Sequence, residues 1–193
     1  MKVLDRLLRA WRTRVALAVA PTRLETVLDI GCGEGYLLTR IAARHRIGID
    51  PALTADSDEG GASLRRGMFP VDVDRLGLSG PYDAIFALAV FEHLTDADLA
   101  AVRAAVPRLL SPGGRLIITV PHPFVDRILD VLMALRLIEG IAVHEHHGFD
   151  PKRLREFASP GLRLERHSGF QFGLNNLFVF EKPASEDELA GRV

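Results

Sequence analysis

Apolar residues run directly into three glycines spaced G-x-G-x-G in the segment Val27-Leu28-Asp29-Ile30-Gly31-Cys32-Gly33-Glu34-Gly35. A short apolar run closed by glycines reads as a buried strand that ends in a tight ligand loop. Without a Cβ, glycine takes positive φ and lets a ligand lie against bare backbone, and a following helix offers its free N–H groups. Residues 36–43, Tyr36-Leu37-Leu38-Thr39-Arg40-Ile41-Ala42-Ala43, read as that helix. A dinucleotide fingerprint, G-x-G-x-x-G, needs its third glycine where Tyr36 stands, which counts against an NAD-linked oxidoreductase. Asp29, just before the first glycine, would repel a pyrophosphate and suits a cationic or amino-bearing ligand.

Three further segments follow in order. Arg46-Ile47-Gly48-Ile49-Asp50 is a short strand ending in an acid about twenty residues after the loop, where a carboxylate accepts hydrogen bonds from ribose hydroxyls. Tyr82 to Leu94 carries the apolar run Ala84-Ile85-Phe86-Ala87-Leu88-Ala89-Val90, and Leu110 to Pro121 carries Pro112-Gly113-Gly114 before Leu116-Ile117-Ile118-Thr119-Val120. With these motifs the chain resembles the class I S-adenosylmethionine-dependent methyltransferases, in the type 11/12 branch of small-molecule enzymes, over about residues 25–121 and more loosely to Pro183.

The resemblance implies an α/β, Rossmann-like fold. Its seven-stranded, mostly parallel sheet has the order 3-2-1-4-5-7-6, the last strand antiparallel, with helices on both faces. It implies S-adenosyl-L-methionine as cofactor and S-adenosyl-L-homocysteine as product. Gly31, Cys32, Gly33 and Gly35 would pass the cofactor's amino-acid portion, and Asp29 would receive its ammonium. Asp50 and the adjoining Pro51 would take the ribose. Asp72 and Val73, at the end of the third strand, would lie beside the adenine, with Asp74 as the fallback, while Ala87 and Leu88 would border the reacting sulfur.

The chain has 193 residues, enough for one well-filled α/β domain, expected over residues 1–183 with a polar tail over 184–193. A net charge of -1 gives no long-range attraction for nucleic acid or an acidic membrane, so a small-molecule acceptor is expected and no nucleic acid. A single cysteine excludes a disulfide framework and suits a cytoplasmic location, as a monomer or homodimer. Residues 15–20 form the longest apolar run of the N-terminal segment, too short to span a membrane.

Leu4, Leu7, Leu8, Trp11 and Val15 recur at helical spacing among arginines, so residues 1–20 read as an amphipathic helix, ended by Pro21, that packs on the domain or caps the cleft in preference to binding a membrane surface. Strands are expected near residues 26–31, 46–50, 67–72, 82–88 and 114–120, with a final antiparallel pair over 164–172 and 176–181. Between Asp50 and Met68 the small and polar residues fit only a degenerate helix or a loop. Asp96 to Leu110 reads as a helix capped by Thr95, and Pro112-Gly113-Gly114 as a turn into the fifth strand. Residues 123–148 read as a lid or substrate insertion, and Asp150 to Ala158 as a further helix.

His122, after the fifth strand, is the preferred general base for an acceptor, and His93, beside Glu92, is the second candidate. Glu92-His93 with the later His144, His146 and His147 is similar to the E-x-x-E-H element by which methyltransferases of small-RNA ends and of ubiquinone synthesis bind a metal. Ala89 stands where that element has its first acid, and no metal is assigned. A methyl transferase acting at oxygen or carbon of a sugar, lipid precursor or secondary metabolite is the leading reading. A noncatalytic binding protein of the same fold is the alternative, because fold alone never proves chemistry.

Overall fold

Val27, Leu28 and Ile30 are all buried, so the strand they form is covered on both faces, as apolar residues of both parities require. A computed structural model describes residues 3–122, 151–158 and 161–184. Its strands are β1 (Thr26–Ile30), β2 (His45–Asp50), β3 (Ser57–Glu59), β4 (Ala62–Arg66), β5 (Tyr82–Leu88), β6 (Leu110–Pro121), β7 (Arg163–Phe170) and β8 (Asn175–Glu181). Its α-helices among the described residues are α1 (Val3–Leu17) and α2 (Asp96–Leu109). One sheet holds all eight strands in the order β3-β4-β2-β1-β5-β6-β8-β7. Taking β4 as the third strand, this is the expected seven-strand order, with β8 antiparallel to β6 and an extra antiparallel edge strand, β3.

Strand periodicity divides the core. Leu28, Ile30, Ile85, Leu116 and Ile118 face α2 and the 3-10 segment Pro151–Phe157, whose Leu154 and Phe157 are buried. Val27, Ala84, Phe86, Ile117, Leu177 and Val179 face Ala16 of α1 and Leu37, Leu38 and Ile41. α2 begins with the expected Thr95, whose hydroxyl accepts from the Asp98 N–H while the Asp98 carboxylate accepts from the Thr95 N–H, a reciprocal capping box.

Several expectations need correction. Residues 36–43 are a run of turns rather than a continuous helix, because the Tyr36 carbonyl, which a helix would give to the Arg40 N–H, accepts from the Thr39 hydroxyl and the Arg40 guanidinium instead. The Arg40 N–H turns to the Leu37 carbonyl. The third strand covers Ala62–Arg66 rather than 67–72, and residues 69–77 are turns. The supposed loop between Asp50 and Met68 contains the β3–β4 hairpin, closed by Gly60 and Gly61, both at positive φ, as a two-residue turn of this kind demands.

Pro112-Gly113-Gly114 is not a separate turn. It lies within β6, where the Gly113 N–H donates to the Lys182 carbonyl and the Gly114 carbonyl accepts from the Lys182 N–H. The ladder with β5 absorbs it as a register shift between Tyr82 and Ala84. The expected helix over Asp150 to Ala158 is the shorter 3-10 segment over Pro151–Phe157.

The N-terminal helix forms as expected, but of its apolar stripe Val15 packs against the core while Leu7, Leu8 and Trp11 do not. Leu7, Leu8 and Trp11 are exposed, while Thr13 and Ala16 are buried against the sheet. Two cations fix this orientation: the Arg9 guanidinium lies over the Tyr36 ring, and Arg12 faces the buried Glu92. The lid expected over 123–148 and the tail from Ser185 onward lie outside the described residues.

Thr95→Ala removes one half of the capping box and should cost about 1 kcal/mol. Urea unfolding should show a lower midpoint with an unchanged slope; an unchanged midpoint would mean that α2 does not depend on its cap.

Candidate functional site

The glycine loop turns over the end of β2 because that end holds it. The Gly31 N–H donates to the Ile49 carbonyl at 2.8 Å, and the two Asp50 carboxylate oxygens accept from the Gly33 N–H and the Ala52 N–H, each at 2.8 Å. Gly48 makes the approach possible, since a Cβ there would stand 2.7 Å from the Cys32 Cβ. Gly33 is at φ +51° and a Cβ on it would meet nothing within 4 Å, so its outer side faces open space. Among the described residues the loop is therefore held from beneath and open at Gly33, while Gly31 lies against Val90 and Gly35 against Leu64, so a ligand can lie on bare backbone at Gly33.

Asp29 is buried beneath this loop. Burial, and then the neighbouring Asp50 charge, push its carboxyl up to about 8. A positively charged ligand group above it would reverse that penalty. Cys32 is buried as well, its thiol pushed up to about 12 by burial and by the Asp29 and Asp50 charges, which makes it a packing residue and no nucleophile at neutral pH.

Beyond Asp50 opens a cleft of about 550 Å³ lined by Pro51, Thr54, Asp56, Met68, Asp72 and Arg75, among others. Asp72 does not end a strand, but the turns bring it to this cleft. Its carboxylate binds Arg75 at 2.9 Å and accepts from the Met68 N–H at 2.8 Å, and the two bonds hold it below the usual carboxylate range. Val73 turns into the hydrophobic core and does not line the cleft, whereas exposed Met68 does; the sequence reading missed Met68 because it placed the strand end six residues too late. Asp74 lies on another groove, with Pro70 and Arg108.

Ala87 is fully buried between Ile30 and Ile118, and Leu88 is half-buried at the end of β5. Ala89 follows at φ +59°, its N–H donating to the Thr119 carbonyl, and the chain enters a 3-10 turn over Phe91–His93. Glu92 is buried and His93 exposed, so these neighbours point to different surroundings. His122 directly follows β6, partly exposed, with its N–H donating to the Leu174 carbonyl.

α1 supplies residues that the sequence reading did not assign to the site. Tyr36, next to Gly35, is held between the Arg9 and Arg40 guanidinium carbons, 4.1 and 3.5 Å from its ring centroid. Arg12 is desolvated, which lowers its pKa against the opposing Glu92 charge. The intervening arginines of an amphipathic pattern were the available signal. Among the described residues no group of three or more His, Cys, Asp or Glu can hold a metal; His144, His146 and His147 lie outside them.

Comparison with known proteins gives this geometry a family. A family model described as a methyltransferase domain matches residues 3–162. A ubiquinone biosynthesis O-methyltransferase of Acinetobacter baylyi is 26% identical over 162 residues, covering 76% of this chain and 66% of the relative. A tRNA U34 carboxymethyltransferase of Vibrio atlanticus is 31% identical over 97 residues, 43% of this chain and 30% of the relative. The chain thus spans about two-thirds of the first relative's length and under a third of the second's. Among solved structures, the methyltransferase domain of a bacterial protein, CtHen1-C, superposes with a TM-score of 0.67 at 21% identity, covering 92% of this chain and all of that one, which is a likeness of fold.

The buried Asp29 makes stability depend on pH. Its folded pKa, about 8, lies above the ordinary carboxyl value of 3.8, so the folded state binds the extra proton across that window and stability falls as pH rises through it. The slope is at most about 1.4 kcal/mol per pH unit. Asp29→Asn should flatten the fall in urea midpoint between pH 5 and 8, whereas parallel profiles for parent and variant would place the dependence on another group.

Proposed function

The chain belongs to the methyltransferase-domain family, the class I S-adenosylmethionine-dependent methyltransferases, and on that premise we propose that it methylates a small-molecule acceptor at oxygen or carbon. The observation that carries the reading is the open space over Gly33, with buried Asp29 beneath the loop and Asp50 beside it. This suits a ligand with a cationic amino-acid end and a ribose. When bound, S-adenosyl-L-methionine supplies a methyl group already activated on a sulfonium, leaving S-adenosyl-L-homocysteine. The protein's task is then to orient two ligands and exclude water.

In this reading Gly31, Gly33 and Gly35 pass the amino-acid portion, and Asp29 receives its ammonium. Asp50 keeps its bonds to the Gly33 and Ala52 N–H groups and accepts the ribose hydroxyls on its remaining lone pairs. The adenine enters the cleft between Pro51 and Met68, with Asp72 at its wall. Leu88 and the chain reversal at Ala89 border the reacting centre, on the carboxyl edge where open α/β sheets present ligands. His122, at that edge after β6, takes the acceptor's proton, and His93 is the second candidate for that role. The net charge of -1 favours a small acceptor over a nucleic acid.

Calorimetry with S-adenosyl-L-homocysteine should show binding that Asp50→Ala weakens by about 1.5 to 3 kcal/mol through loss of charge-assisted hydrogen bonds. Gly33→Val should weaken it further by filling the open space, and unchanged affinity in both variants would remove the cofactor assignment. In a methyl-donor screen, His122→Ala should lower kcat about a hundredfold or more with cofactor affinity retained. A parental rate across pH 6 to 9 would make His122 structural.

A further inference from the structure

The outward side of α1 carries Leu7, Leu8 and Trp11, while Arg9 and Arg12 turn toward the domain with Thr13 and Ala16, unlike a helix that serves only to cover a core. Leu7 is 61% exposed and Trp11 40%, and an open groove of about 530 Å³ runs along Ala10, Trp11, Arg14, Val15 and Ala18. The tip of the β7–β8 hairpin extends this face. Phe172 is 92% exposed, its ring edge-on to Trp11 with centroids 5.6 Å apart.

That tip is held at a cost. Gln171 and Phe172 lie at φ +51° and +58°, and the Gly173 N–H closes the turn on the Phe170 carbonyl, a geometry that favours Asn and Gly. Gln171 is buried, with its Nε2 donating to the Leu8 carbonyl of α1 and its Oε1 accepting from Asn175. The helix and the hairpin tip are thus pinned into one surface, and a phenylalanine is fixed in water by strained backbone.

Charge identifies what the surface fits. From Arg6 to Leu24 the sequence holds five arginines and no carboxylate. Arg9 and Arg12 are spent inward, whereas Arg6 and Arg14 stand exposed beside the apolar residues. Leucine, tryptophan and phenylalanine bordered by arginine are the composition of an interfacial helix. Trp11 and Phe172 are paired edge-on with each other, and the Leu7 and Leu8 side chains beside them carry no ring on which a base could stack. The whole-chain charge of -1 does not oppose this, because attraction to a charged surface acts within a Debye length of about 8 Å.

We propose that the outward face of α1, with Phe172, docks the protein on an anionic lipid surface. The docking stands independently of methyl transfer. Where both hold, it sets the carboxyl edge of the sheet beside the bilayer, since Arg9 and Arg12 of the same helix reach Tyr36 and Glu92 at that edge, and it favours an amphiphilic acceptor.

Trp11 is the only tryptophan, so its emission reports the face directly. The full chain should be mixed with phosphatidylcholine vesicles with and without phosphatidylglycerol. Anionic vesicles should pellet the protein and shift Trp11 emission to shorter wavelength, both effects weakening as salt is raised. Phe172→Glu should reduce the bound fraction at limiting lipid at least about tenfold without altering the melting temperature, and Phe172→Leu should restore most of it. No pelleting, or equal pelleting of Phe172→Glu, overturns the proposal. So does an emission already that of a buried indole without vesicles. A concentration-dependent doubling of mass that blocks vesicle binding would instead assign the face to a second copy of the chain.

Discussion

The two hydrogen bonds from Gly33 and Ala52 to the Asp50 carboxylate are the constraint on which the carboxyl edge of this protein depends. The Ala52 bond holds the carboxylate in place and the Gly33 bond ties the loop after β1 to the end of β2, so the strand that ends in glycines and the strand that ends in an acid act as one unit. The tie works only because Gly48 leaves room for Cys32, letting the loop lie flat over β2. In the proposed reading the residue that takes the ribose is also the clamp that shapes the loop. Loss of Asp50 must therefore be read in cofactor affinity and in loop stability together.

The same edge explains why α1 lies as it does. The Tyr36 ring and the Glu92 carboxylate are the polar features that the sheet presents to this helix, and Arg9 and Arg12 meet them. Once those cations face inward, helical geometry turns Leu7 and Trp11, about half a turn of the wheel away, to the outside. Electrostatics at the site and hydrophobic exposure at the surface are two consequences of one orientation.

Much of this was legible in the sequence where apolar periodicity is strong. β1, β5 and α2 were read with boundaries within a residue or so, and the seven-strand order followed from the family resemblance. The failures have physical causes. The β3–β4 hairpin has short, polar strands, and its Gly60-Gly61 signal was read as a loop because a helix was expected there. Residues 36–43 have helical periodicity, yet a local side-chain bond to the Tyr36 carbonyl breaks the ladder. The α1 stripe had the right spacing and, at Leu7, Leu8 and Trp11, the wrong assumed direction, since periodicity states that a helix has two faces without stating which one is buried. At the site, Asp29, Asp50 and the glycines stand together as expected, while Val73 went to the core because the preceding strand ended earlier.

Burial, and after it the neighbouring Asp50 charge, disfavour the ionised form of Asp29 beneath the loop. Packing alone would favour a neutral residue there, so the acid is explained better by what binds above it than by the fold beneath. An ammonium over the loop would stabilise the ionised form that burial disfavours, and Asp29 would then give up the proton it holds in the free protein.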